Sequence, residues 1–230
     1  MKNKKILFLI LILSLFTFNS VYSDDDFTFE SKKIDIENNG NLIIAEGDVK
    51  ITSNNGMVIY SDNSEYNKIK KELLIKGNAQ IIDKMNKLDI SASKFIYSKN
   101  LEKIQSVGKT LVKYKDKYIV ETSDLNYSNI DNKIISNYQT IITDNFGYKA
   151  KTNSFIFDTE KNIIDVTDLE ISDKQNNIYK VKNTRIDLNQ EKILSKDPEI
   201  YLSDNSSQKN SRLKGRSMVM DESNTTVTKG

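Results

Sequence analysis

The chain has 230 residues, 37% of them hydrophobic and 29% charged, with a formal net charge of +2. It contains no Cys, no His and no Trp, which excludes disulfide staples, thiolate metal sites, a lipidated N-terminal Cys and imidazole acid–base chemistry. The length allows one large or two small domains, and the near balance of charge is not that of a chain held to nucleic acid by electrostatics.

The first segment stands apart. Lys2, Lys4 and Lys5 precede an apolar run over residues 6–18, and Val21 and Ser23 suit the −3 and −1 positions of a cleavage site before Asp24. Residues 1–23 are therefore expected to be a secretory signal peptide. The alternative is a retained anchor, although the segment falls short of the roughly 20 residues a spanning helix needs. Cleavage would leave 31 basic against 32 acidic residues, in an exported domain over residues 24–230.

Residues 27–36 alternate as a first edge strand, and Asn38-Asn39-Gly40-Asn41 is a turn signal. A repeat begins at Leu42. Residues 73–82 show it best: Leu73, Ile75, Gly77, Ala79 and Ile81 form one apolar or small row, and the opposite row is polar at its centre. Alternation at period two marks a strand with one buried face. The central Gly suggests a bulge or a close approach. Aligned on Gly77, earlier residues Ile43, Ala45, Gly47, Val49 and Ile51 repeat the row, and Ile104, Ser106, Gly108, Thr110 and Val112 repeat it again. Tyr138 takes the Gly position next, with Ile134, Ser136, Thr140 and Ile142. Thr167 follows with Ile163, Leu169 and Ile171, then Asp197 beside Pro198, where the alternation slips out of phase.

A second series keeps the same beat. Tyr66, Tyr97, Tyr127, Phe157, Leu188 and Met220 are 31, 30, 30, 31 and 32 residues apart. Two series with one period define six units of two strands joined by polar turns, hence about twelve antiparallel strands. The second strand of a unit carries a parity switch: Ile90 and Ala92 share one phase, Phe95 and Tyr97 the other. That pattern is expected of a β-bulge or a crossing between two faces, or of runs too short to fix a phase. Residues 203–212 read as the longest loop and residues 213–220 as a further strand. The chain then stops about where a seventh Gly position is due, as a truncated reading frame would.

One layer of such strands cannot leave its apolar face in water, so the layers must fold against each other. Either the faces meet and fill the interior, as in a sandwich, or they splay into a groove for an apolar ligand. Small residues at the centre of the row, such as Ala45, Gly47, Gly77, Ala79 and Gly108, leave room for a groove, or let two sheets close up.

The stretches Ile43-Ile44-Ala45-Glu46-Gly47-Asp48-Val49, Ile75-Lys76-Gly77-Asn78-Ala79-Gln80 and Tyr60-Ser61-Asp62-Asn63-Ser64-Glu65-Tyr66 resemble the OstA-like repeats of lipopolysaccharide transport, the family of LptA, LptC and the N-terminal domain of LptD. The resemblance spans about residues 27–230 and is strongest in the first two units. It implies an all-β fold, an open twisted β-jellyroll folded like a taco. It also implies a periplasmic location, lipid A acyl chains of lipopolysaccharide in the groove, and stacking with other Lpt jellyrolls by edge-strand augmentation. Six units and an abrupt end are most similar to the N-terminal periplasmic part of an LptD-like protein, which would add outer-membrane machinery as a partner. On this reading Ile43, Val49, Ile51, Leu73, Ile75, Ala79, Ile81, Ile104, Val112, Ile134 and Ile142 line the groove; their phase follows from the alternation, their contact with lipid from the resemblance alone. The resemblance implies neither cofactor nor metal, and no catalytic residue. The other readings are a structural or adhesive surface repeat with a filled core, and a polysaccharide-active parallel β-helix, for which no stacked row of carboxylates is found.

Overall fold

The computed structural model describes residues 20–23, 27–54, 56–85, 87–128, 130–202, 211–220 and 224–228. Residues 1–19 of the expected signal peptide and residues 203–210 of the expected long loop lie outside them, while the last four residues of that peptide, Ser20–Ser23, form a strand. The described chain is all-β apart from a 3₁₀ turn, Asn38–Gly40.

In chain order the strands are β1 (Ser20–Ser23), β2 (Phe27–Ser31), β3 (Lys33–Glu37), β4 (Leu42–Ser53), β5 (Val58–Asn67), β6 (Glu72–Asp83), β7 (Leu88–Ser98) and β8 (Lys103–Tyr114). Shorter segments follow: β9 (Tyr118–Ser123), β10 (Asn126–Ser128), β11 (Lys133–Ser136), β12 (Thr140–Asp144), β13 (Lys149–Thr152) and β14 (Phe155–Asp158). The last are β15 (Ile163–Ser172), β16 (Ile178–Asp187), β17 (Lys192–Leu202), β18 (Ser211–Lys214), β19 (Ser217–Met220) and β20 (Thr225–Thr228).

The pairings are antiparallel; most join neighbours along the chain and the rest join strands two or three apart, so the described chain is a meander. Where two short segments follow each other they are halves of one rung. β9 and β10 both pair with β8, while β13 and β14 both pair with β15. The expected first strand is likewise split into β2 and β3, both held by β4. The six expected two-strand units thus survive as rungs, many of them broken or bulged at the middle.

That midpoint is a crease. Between β4 and β5 the register slips from Glu46 to Val49 against Ser61 to Asn63, and the same slip recurs between β5 and β6, β6 and β7, and β7 and β8. Gly47, Gly77 and Gly108 sit there with φ of 75–76°, and Asp48 and Asn78 continue the left-handed backbone. Two extra residues on the first strand of a unit keep its inward phase. A single extra residue on the second strand reverses it, which is the parity switch. In β15 the corner is one residue shorter. Ile164 and Val166, rather than Ile163, therefore share the inward side with Leu169 and Ile171.

Folding every rung at one crease turns the sheet into two walls that meet along it. The crease is lined by small side chains. Ala45, Ala79, Ser61, Ser64, Ser106, Thr110, Thr122, Ser136, Thr140 and Thr152 are all buried. Apart from Ser64, whose buried Oγ has no partner, their hydroxyls bond each other and the backbone freed by the kinks. Ser106 and Thr110 are 2.6 Å apart, Thr122 lies 2.8 Å from both Ser136 and Thr140, and the Leu125 N–H donates to Ser106 Oγ. Small residues there let the walls close up; they do not widen the interior.

A groove that widens from a plugged end

The interior is packed at the N-terminal end. Phe27, Phe29 and Tyr66 are buried, and their rings meet edge-on or stacked at 5.2–6.2 Å, with Tyr97 against Phe27 at 5.9 Å. Around this plug Ile43, Ile51, Leu73 and Ile75 are at 0% exposure. Pairs of this kind add about 0.5–1.5 kcal/mol beyond the area they bury.

Further along, the walls part. A cavity of about 920 Å³ runs from the end of β6 to β19, near the top of the range for small-molecule sites. Its walls carry Ile81, Ile90, Ile104, Val112, Val120, Ile134, Ile142, Ile164 and Ile186. Tyr127, Phe157, Leu188 and Met220 form a ladder on one side. Rings from opposite walls approach at one point, where Tyr114 and Phe157 are 6.2 Å apart.

Of the residues expected to line a groove, Ile81, Ile104, Val112, Ile134 and Ile142 do border the cavity. Ile43, Val49, Ile51, Leu73, Ile75 and Ala79 lie in the filled part instead, none more than 1% exposed. The same repeat position opens stepwise, from 0% at Ile43 and Leu73 to 8% at Ile104 and then to the half-buried Ile134. The alternation fixed which side faces in, but not how far apart the walls stand. The ladder from Tyr127 to Met220 was visible as a period in the sequence. Only the structure puts it on the wall.

The mouth runs between two rows of turns. One row includes residues 68–71, 99–102, 130–132, 159–162 and 188–191; the other includes 84–85 with 87, 115–117, 145–148 and 173–177. Backbone bonds tie successive turns together, Lys99 N to Lys71 O in the first row and Lys115 N to Lys87 O in the second. Lys117 and Glu191 reach across the mouth to within 3.7 Å. The Lys117 ammonium also lies over the rings of Tyr118 and Phe146, and Lys174 over Phe146. A hydrogen bond to Tyr118 is the main cause holding Lys117 above the usual lysine range, helped by the charges of Glu191 and Asp144. The Tyr127 hydroxyl is pushed up by burial and by the facing charges of Asp83 and Glu102. Asp144 and Asp187 at the rim are occupied as turn caps, accepting from Phe146 and Tyr148, and from Asn189 and Gln190. Among the described residues no group of three or more acids is placed to hold a metal ion.

Fold and groove together define an all-β, open jellyroll-like protein with a cavity lined mostly by apolar side chains. No family model matches the sequence, and no curated relative matches it. Among solved structures the chain is similar to LptH of Pseudomonas aeruginosa, described as the LptA-homologous periplasmic component of the conserved lipopolysaccharide transport device. The likeness has 11% identity and a TM-score of 0.27, and covers 61% of this chain and 81% of that one. At that level the fold rests on the strand pairings above, not on the likeness.

Proposed function

We propose that the protein is an exported, non-enzymatic lipid carrier of the periplasm, and that its groove takes acyl chains of lipopolysaccharide for delivery to the outer membrane. The apolar cavity of about 920 Å³ carries this reading. Burying acyl chains at about 0.8 kcal/mol per CH₂ gives affinity without a dedicated polar pocket. The repeat motifs around Gly47 and Gly77, which resemble OstA-like repeats, supply the identity of the lipid. The sheet edges left after loss of residues 1–23, at β2–β3 and at β20, are where further jellyrolls would add by strand augmentation. An LptD-like role is the finest form of the proposal, with residues 1–23 as cleaved signal peptide and 24–230 as the repeat domain.

Adjacent residues of β14 test it. Phe157 borders the cavity, while Ile156 is 45% exposed on the outer face. A photoreactive residue at each, in cells making lipopolysaccharide, should give a lipopolysaccharide adduct at 157 and none at 156. Phospholipid adducts alone at 157 would keep the groove and discard its cargo. No adduct at either position, with both variants folded, would point to a structural repeat protein.

A further inference from the structure

One row of turns carries a feature that the groove does not use. Ile69, Leu101 and Ile130 are 74%, 61% and 64% exposed. Ile69 and Ile130 occupy equivalent places in turns 68–71 and 130–132, and Leu101 stands one residue further on in turn 99–102; the three turns lie at alternate rungs along one rim. With strands about 4.8 Å apart, alternate rungs put these tips about 10 Å from each other, in a line about 20 Å long. Isolated exposed aliphatics need no explanation, but a row of large ones on protruding turns does.

The charge around the row is one-sided. Lys68, Lys70, Lys71, Lys99, Lys103 and Lys133 stand in or beside these three turns, against Glu72, Glu102 and Asp131. This concentrates positive charge in a chain that is nearly neutral outside residues 1–23. Aliphatic tips flanked by lysines are the composition that seats on an anionic bilayer: the side chains enter the headgroup layer and the ammonium groups meet its negative charge. Protein interfaces are depleted of Lys at their core, which makes a protein partner the poorer fit. The third turn adds position. Asn132, in the turn that carries Ile130, also borders the cavity. A bilayer seated on this rim would lie against a lip of the groove.

We propose that the rim formed by Ile69, Leu101 and Ile130 with their flanking lysines is a docking surface for an anionic lipid bilayer. This does not depend on what the groove carries. The absence of Cys permits single-site labelling of the protein recovered from expressing cells. One environment-sensitive dye goes on Leu101→Cys. A second goes on Met85→Cys, a turn tip of the opposite rim that is 86% exposed. Vesicles of equal parts phosphatidylglycerol and phosphatidylcholine should shift the Leu101 dye to the blue and leave the Met85 dye unchanged. Pure phosphatidylcholine should do much less. Lys70→Gln with Lys71→Gln should weaken the vesicle response roughly thirtyfold. An unmoved Leu101 dye overturns the proposal. So does an equal shift at Met85, which would mean general adsorption or attachment through residues 6–18. A shift that grows with protein concentration and needs no vesicles would assign the row to contacts between copies.

Discussion

At Gly77 the backbone and the neighbouring strand make the same demand. Its φ is +75°, and an added Cβ would lie 2.3 Å from Asp62 Oδ2. The Asp62 carboxylate is held in place by the Asn78 amide, at 3.0 Å from Oδ2. Gly56 has a similar φ of +83°, and a Cβ added there would meet nothing within 4 Å, so it isolates the backbone cost. Gly56→Ala should destabilise by about 1 kcal/mol and Gly77→Ala by about 2–4 kcal/mol, read as a fall in urea midpoint at constant slope. Adding Asp62→Ala to Gly77→Ala should recover part of the difference between them, since it removes the carboxylate but leaves the residue 62 Cβ 2.9 Å from the new methyl. Equal losses at the two glycines would mean that the crease has room to spare. The Gly row was legible in the sequence because no other residue takes that φ cheaply. The hydroxyl network of Ser106, Thr110, Thr122, Ser136 and Thr140 was not, since Ser and Thr at inward positions look the same whether they face a cavity or each other.

Among the elements, the expected alternation of a unit's first strand is kept in β4, β6, β8 and the broken β11–β12, and it slips in β15, where the corner changes length. Ile163 reads as inward if Thr167 is aligned with Gly77, but the shorter corner of β15 turns Ile164 inward instead. Residue spacing alone cannot reveal a missing bulge residue. The late strands lean more on side-chain charge. Glu199 in β17 receives hydrogen bonds at 2.7–2.8 Å from Tyr201 and Arg212, and Lys214 is within 2.7 Å. These cations come from β18, which pairs with β17 over Leu202 to Glu199. Lys214 first, then Arg212 and Tyr201, hold the Glu199 carboxyl down at about 2 instead of 4.5. Because the folded value is the lower one, the contribution is complete above about pH 4.5 and lost as pH falls towards 2. Amide exchange in β18 should therefore quicken across that window, and Glu199→Gln should remove the pH dependence there. The group is exposed, so the effect belongs to the local edge and is screened by salt. Exchange that quickens together with that of β4–β6 would mean global acid unfolding.

At the scale of the molecule, the two ends of one folded sheet behave differently because their side chains fill different fractions of the space between the walls. The plug is aromatic, with Phe27, Phe29 and Tyr66 in mutual contact. The middle relies on Ile, Val and rings of which Tyr114 and Phe157 meet across the walls, which leaves about 920 Å³ open. This contrast can be tested by one substitution at two places. Ile75, at 0% exposure, has no space for a larger ring, so Ile75→Trp should cost at least about 1–3 kcal/mol through overpacking. Ile134, which matches Leu73 and Ile104 in the repeat, also faces inward but borders the cavity, so Ile134→Trp should leave the urea midpoint nearly unchanged. If the groove carries lipid, Ile134→Trp should also cut the yield of lipid adduct at position 157, because the indole takes space that an acyl chain would use. Loss of stability at both positions would mean that the walls can close on an empty groove and that the interior is a filled sandwich in solution. Tolerance at Ile134 with undiminished adduct would leave the open groove standing and place the lipid elsewhere along it, towards Ile186 and Met220.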